Sequence, residues 1–243
     1  TLLLASDCRE TKPGSTQEMQ YGHGAAALLL GEGETIADIV AVESAHEDLI
    51  DQYRGSETKF DYALEERWVR EEGWLKIVPD VVRSVLEKAD LGIEDISRLV
   101  VHGSAGAARS LMKSLDGNPK ILSDSLQGSV GDCGCAHPLL MLSNVLSEAR
   151  PNEAILLIGF GQGSDVILLK TNNKISSFGD NHGPKIYIQS KREIENYTLY
   201  LSLRNHIDID FGLRSERDNR TALSAYYRKR REITAMLGGR CLK

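Results

Sequence analysis

An α/β domain built on a buried sheet is the fold class this sequence predicts, and three observations carry the prediction. Residues 99–169 alternate short apolar runs with helical stretches, in the strand–helix–strand–helix–strand order that lays helices over the faces of a sheet. The chain has 243 residues, 41% hydrophobic and 26% charged, which is enough for one substantial core. No apolar run approaches the roughly 20 residues of a membrane span, so the membrane-spanning class is set aside.

The elements follow in order. Thr1–Ala5 is a short apolar run that reads as a buried strand with neighbours on both sides. It does not resemble a signal peptide or a native N-terminus, so the chain reads as a piece of a longer polypeptide. A loop with a Lys12-Pro13-Gly14-Ser15 turn comes next. Ala25–Leu30 and Ile36–Val42 are apolar runs separated by Gly31-Glu32-Gly33-Glu34, the chemistry of a hairpin. Residues 44–63 lack periodicity and read as a surface excursion. From Leu64 to Lys88 apolar residues recur at helical spacing, with Pro79 dividing or kinking the stretch.

Leu99–Val101 then reads as a strand, Ala105–Leu115 as a helix, Lys120–Leu122 as a strand and Pro138–Ala149 as a helix. Ile155–Ile158 and Val166–Leu169 read as strands flanking a glycine-rich turn. The α/β domain is thus expected over residues 1–170, followed by an Asn-, Ser- and Gly-rich linker at 171–190. A basic helical extension fills 191–243, with helices at Lys191–Arg204 and Thr221–Leu237.

Charge is divided unevenly along the chain. Residues 191–243 carry net +5 and residues 1–190 net −11, and an acidic body argues against nucleic acid as the partner. The four cysteines (Cys8, Cys133, Cys135 and Cys241) are too few and too scattered for a disulfide scaffold, and they point to a reduced, cytoplasmic protein.

Three segments could carry chemistry. His102 ends a buried strand, where ligands gather in open α/β sheets. It could serve as a base or an oxyanion donor, or merely cap the next helix. In the second segment, Gly131-Asp132-Cys133-Gly134-Cys135-Ala136-His137 combines small residues with titratable ones, and Pro138 opens a helix. The Cys-x-Cys-x-His spacing is too tight for a zinc finger and lacks a second ligand pair, so no metal site is assigned. Cys133 or Cys135 could be a nucleophile at a helix N-terminus, or a small buried residue. The third segment is Gly159-Phe160-Gly161-Gln162-Gly163 after a strand. It lacks a phosphate-loop lysine and is followed by a strand, so it reads as a hairpin lining a cleft.

Taken in order, these segments resemble the second half of the thiolase superfamily, in the branch of 3-hydroxy-3-methylglutaryl-CoA synthase and ketoacyl synthase III. His102 stands where that branch has its active-site histidine. Gly131–His137 is similar to the Gly-Asn-Thr-x-Ala-Ala-Ser segment, and Gly159–Gly163 to the Phe-Gly-Gly-Gly hairpin. Ala5-Ser6-Asp7-Cys8-Arg9 resembles the strand after the nucleophile helix, and Gly22-His23-Gly24-Ala25-Ala26-Ala27 resembles the Gly-Asp-Gly-Ala hairpin. Two departures stand out: Asp132 replaces an asparagine, and His23 replaces an aspartate. An ionised carboxylate donates no hydrogen bond and cannot inherit an amide's oxyanion role.

The resemblance covers residues 1–170 and implies a layered αβα sandwich, comprising the second half of the fold and the last strands of the first. It implies an acyl-CoA condensing acyltransferase whose nucleophilic cysteine lies upstream of Thr1. His102 and Asp132 would be catalytic, and Phe160, Gly161 and Gly163 would bind substrate. His137 has a structural helix-start role first and a catalytic one second. No tightly bound cofactor is implied beyond a coenzyme A thioester as substrate.

The partners implied are acyl-CoA substrates and a homo- or hetero-oligomer, with no nucleic acid and no membrane. The tail resembles the connector to a zinc-ribbon/OB-fold domain, in which Cys241 would be the first zinc ligand. An ordinary helix with a basic face is the other reading of the tail. Its Tyr197, Tyr200, Tyr226 and Tyr227 are expected to bury their rings against the body or a neighbouring subunit. Two competing functions stand beside condensation: a non-catalytic subunit scaffolding an active partner, and acyl transfer to a hydroxyl or amine.

Overall fold

The computed structural model describes residues 1–178, 183–209 and 223–234. Two compact units divide the chain, Thr1–Arg192 and Glu193–Lys243.

In the first unit, a four-stranded sheet has the order β3-β8-β7-β6, made from Ala37–His46 (β3), Arg98–Val101 (β6), Ala154–Gly161 (β7) and Gly163–Thr171 (β8). β3 and β7 run antiparallel to β8, and β6 runs parallel to β7. β6 and β7 are rich in Val, Ile and Leu because both their faces are covered, whereas the edge strand β3 leaves Ile39, Val40 and Val42 about half exposed. Leu156 and Ile158 of β7 face Val78, Val82 and Val85 of helix α3 (Val78–Lys88) and Leu111 and Met112 of helix α4 (Ala105–Ser114). Their neighbours Ile155 and Leu157 face Met141, Leu142 and Val145 of helix α6 (His137–Glu148).

On its far side α6 meets a second small sheet, the antiparallel pair of Leu2–Cys8 (β1) and His23–Leu29 (β2). The short helix Thr16–Gln20 (α1) connects these two strands. The layers are therefore helix, sheet, helix and hairpin sheet, which is the layered α/β class the sequence predicts.

Several elements differ from the sequence reading. The run at Ala25–Leu30 does not form a hairpin with Ile36–Val42. β2 pairs back to β1 and β3 pairs with β8, so the Gly-Glu repeat joins two sheets. A glycine-rich link between two apolar runs cannot by itself say which strands they join. Thr1–Ala5 is a strand but not a buried one: among the described residues it pairs with β2 alone, and Leu2 and Leu4 are 58% and 69% exposed. Lys120–Leu122 lies in a single 3-10 turn, Pro119–Ile121, touching β6 only through a Leu99–Leu122 bridge.

The 44–63 excursion contains a two-residue ladder, Gln52–Tyr53 (β4) with Tyr62–Ala63 (β5). Pro79 sits in the first turn of α3, after Glu66–Trp68 (α2) and a π-helical turn at Val69–Trp74, so the proline begins a helix. The expected linker is folded in its described part. Its 3-10 turn Asn173–Ser177 buries Ile175 against the α6 side of the core, and Lys185–Gln189 (α7) adds Ile188 there.

In the second unit the described helices are Tyr197–Leu203 (α8), capped by Asn196, and two short segments, Leu223–Arg228 and Arg230–Thr234. They are shorter than expected, and Tyr197, Tyr226 and Tyr227 are exposed in this chain. Cys241 and the Arg214–Arg220 stretch lie outside the described residues.

The β7–β8 turn places the glycine-rich segment. Gly163 adopts φ +111°, and a Cβ there would lie 1.9 Å from the Ala45 carbonyl oxygen of β3, so only glycine lets the three strands close. The central position of β7 sets a testable cost. Leu156→Ala leaves a cavity between β7 and α3 and should lower unfolding free energy by about 2–5 kcal/mol in urea titrations. A loss below about 1 kcal/mol would show that β7 is not the centre of the core.

Candidate active site

His102 follows the last residue of β6, Val101, which is buried with Leu99 and Val100. The strand therefore fixes the imidazole at the sheet's carboxyl edge. It does not cap α4, because Ser104 Oγ accepts from the Ala107 N–H at 3.2 Å and fills that role. Gln127 of the short helix Gln127–Val130 (α5) donates to the Gly103 carbonyl, tying the next segment to the strand end.

Asp132 is delivered by that segment. Gly131 turns the chain at φ +71°, where a Cβ would press on the Tyr21–Gly22 backbone. The Asp132 N–H donates to the Gln20 carbonyl at 2.7 Å, and its own carbonyl accepts from the Gly22 N–H at 2.9 Å. With the backbone clamped, Oδ1 accepts from His102 Nε2 at 3.0 Å and from the Gly134 N–H at 2.8 Å. Oδ2 forms an ion pair with Arg9 Nη1 at 3.1 Å. Burial acts to raise the Asp132 pKa. The hydrogen bond and charge of His102, the Arg9 guanidinium and the Gly134 N–H together outweigh it and hold the carboxyl below the usual carboxylate range. Asp132 is thus an ionised acceptor.

Two cavities meet at His102. One, of about 540 Å³, is lined by His102, Phe160, Gly161, Gly163, Cys135 and Arg54 among others. The other, of about 460 Å³, is lined by His102, Asp132, Phe160, Tyr21 and Trp74 among others. Phe160 stacks on Trp74 with ring centroids 4.6 Å apart, so its ring forms a wall of both spaces. His102, Asp132 and the Phe160–Gly163 loop, read separately from the sequence, are brought together here.

Cys133 is not placed as a nucleophile. It is buried, its Sγ lies 3.7 Å from the Val130 and Gly131 carbonyls, and burial with the charge of Asp132 pushes its thiol up to about 11. Cys135 is exposed, with its Sγ 3.4 Å from the Ser6 carbonyl, and it lines the larger cavity. His137 is completely buried at the start of α6. Its Nδ1 accepts from the Cys133 N–H at 3.2 Å and its Nε2 donates to the Ser125 carbonyl at 2.6 Å. His102, Asp132 and His137 offer donor atoms within 4.8 Å of one another, but both His137 nitrogens are engaged, so the trio does not present three open metal ligands.

Sequence reasoning missed four residues. Arg9 is 3% exposed, and its guanidinium reaches Asp132, Gln52 and Asp61 and lies 3.3 Å from the Tyr21 ring centroid. Burial pushes both the Tyr21 phenol and the Asp51 carboxyl above their ordinary values, and Asp51 lines both cavities. Trp74 backs Phe160. An arginine directly after an apolar strand was a readable signal for Arg9; Asp51 lay in an aperiodic loop that gave none.

No protein-family model matches the chain. It is 26% identical over 211 residues to the hydroxymethylglutaryl-CoA synthase of Methanobrevibacter smithii, an alignment covering 85% of this chain and 61% of that protein. Among solved structures it resembles MvaS in complex with 3-hydroxy-3-methylglutaryl coenzyme A, with a TM-score of 0.67, 17% identity, and 84% of this chain and 59% of that one covered. It also resembles the 3-oxoacyl-(acyl carrier protein) synthase III FabH of Pseudomonas aeruginosa, with a TM-score of 0.60, 19% identity, and 71% and 58% covered. The fold is therefore thiolase-like. Within that fold the chain is a distant homologue of the hydroxymethylglutaryl-CoA synthases, and it spans about 61% of the length of the curated relative.

The engaged, buried state of His137 has a pH consequence. Burial lowers its pKa below the unfolded value, so between those two values the unfolded chain binds the extra proton and stability falls as pH falls. His137→Asn can keep an acceptor for the Cys133 N–H without a titrating ring. Wild type should lose more melting temperature than this variant between pH 8 and pH 5. Parallel melting curves would show instead that the His137 imidazole is not held neutral.

Proposed function

We propose that this chain forms the His102-bearing part of an acyl-CoA condensing acyltransferase. The observation that carries the reading is the convergence of His102, its partner Asp132 and Phe160 at two adjoining cavities, one of them also lined by Gly161 and Gly163, in a homologue of hydroxymethylglutaryl-CoA synthases. On this reading an acyl group is held as a thioester on a cysteine outside residues 1–243. A second acyl-CoA attacks it as a carbanion or enolate, or the reverse cleavage occurs. The substrate is a coenzyme A thioester, and no other cofactor is invoked.

The roles follow from hydrogen-bond chemistry. Asp132, ionised, can only accept, so it orients His102 by accepting a hydrogen bond from its Nε2–H. That leaves Nδ1 as the ring nitrogen able to take up a proton as a general base. Gly161 and Gly163 line the larger cavity, where a thioester oxygen could lie.

One observation favours a second reading. Where the resemblance has a neutral amide, this site has a carboxylate, which cannot donate to an enolate oxygen and repels it. A His–Asp base pair is better suited to deprotonating a hydroxyl or amine that accepts the acyl group without carbon–carbon bond formation. A degenerate subunit supporting an active partner is the third reading.

Release of coenzyme A from acyl-CoA by the full-length protein, with and without hydroxyl and amine acceptors, separates them. His102→Ala should lower turnover by about 10²- to 10⁴-fold. Wild-type turnover in that variant would contradict the catalytic assignment. Acceptor-dependent release without a condensed product would select acyl transfer.

A further inference from the structure

Arg9 is a guanidinium with 3% of its surface exposed, and a buried cation is stable only when its N–H groups are taken by acceptors. Its three nitrogens divide the task. Nη1 faces Asp132 Oδ2, Nη2 donates to the Gln52 side-chain oxygen, and Nε faces Asp61 at 3.5 Å. The flat face of the group lies over the Tyr21 ring. Asp61 is also held by Arg54 at 2.6 Å, so its charge has a second cation at the surface. Asp132 has Arg9 and His102 as its cationic or potentially cationic partners.

The geometry constrains the carboxylate more than a single ion pair would. A carboxylate free to rotate about its last side-chain torsion could present either oxygen, at any tilt, to a neighbour. The Arg9 guanidinium, an ion pair 3.1 Å from Oδ2, and the Gly134 N–H hydrogen bond to Oδ1 hold the two oxygens on opposite sides, and Oδ1 also meets His102 Nε2. A neutral amide would lose the charge attraction that seats the guanidinium. Arg9 and Asp132 are therefore interdependent.

We infer that Arg9 is the positioning residue of the site, holding Asp132 by its Oδ2 in the place where Oδ1 meets His102. The functional weight of this role rests on the His102–Asp132 reading above; the fixing of the carboxylate does not. The titratable groups that act on Asp132 are Arg9 just after β1, Tyr21 from the turn before β2, His102 after β6, Cys133 in the loop before α6 and His137 at its start; Asp61 and Asp51 face Arg9 from residues 47–61.

Full-length protein labelled with ¹³C in its aspartate carboxyl carbons, with the Asp132 signal assigned through Asp132→Asn, provides the test. In Arg9→Gln the Asp132 signal should titrate at higher pH than in wild type. kcat for acyl-CoA turnover should fall by about 10- to 100-fold, the scale of a misplaced catalytic group, with KM within about twofold. Arg9→Lys keeps the charge but loses the fork, so the Asp132 titration should stay at its wild-type position while kcat still falls. The double variant Arg9→Gln/Asp132→Asn should melt above Arg9→Gln alone.

An unmoved Asp132 titration in Arg9→Gln overturns the inference. Wild-type kcat in Arg9→Lys also overturns it, and that variant decides the matter if Arg9→Gln does not fold. If the wild-type protein turns over no acyl-CoA, the reading of its function fails, while the Asp132 titration still decides the role of Arg9.

Discussion

Asp132 is a carboxylate 15% exposed in its side chain, and four stretches of chain contribute to keeping it satisfied: the end of β1, the α1–β2 turn, the end of β6 and the loop into α6. A buried carboxylate without partners would be costly or would take up a proton. Here its backbone is clamped by Gln20 and Gly22 and its oxygens by Arg9, Gly134 and His102, so each of those segments is fixed relative to the others. The cleft follows from that constraint. Once β6 and the loop before α6 are joined through His102 and Asp132, the β7–β8 turn and the Trp74–Phe160 stack close around them.

The layers supply the rigidity this arrangement needs. The central strands are sealed on one face by α3 and α4 and on the other by α6, and α6 in turn carries the β1–β2 pair that delivers Arg9. The site residues thus stand on strand ends and helix starts, where packing already fixes the backbone. His137 shows how closely structure and site adjoin. Its ring centroid lies 4.9 Å from that of His102, yet it spends both nitrogens bracing the first turn of α6.

Much of this was legible in the sequence. The β6–α4 and β7–β8 elements are bounded by Ser, Gly and long aliphatic runs, whose chemistry is local, and His102, Asp132 and Gly159–Gly163 stood out as polar or small residues interrupting them. What could not be read was pairing. Nothing local in Ala25–Leu30 says that it returns to β1, and nothing in the three leucines of β1 says that Leu2 and Leu4 lie exposed in this chain. Tyr21 and Asp51 join the site through tertiary contacts alone. The Asn- and Ser-rich stretch after β8 folds because Ile175, Phe178 and Ile188, apolar residues that composition averages away, pack against the α6 side of the core.

The account depends on His102 and Asp132 being an energetically coupled pair, beyond lying near one another. A double-mutant cycle on unfolding free energy, using His102→Ala, Asp132→Ala and the double variant in the full-length protein, measures that coupling directly. The account predicts a coupling of about 1.5–3 kcal/mol, the scale of a hydrogen bond to a charged group. Additive losses, agreeing within about 0.5 kcal/mol, would contradict it.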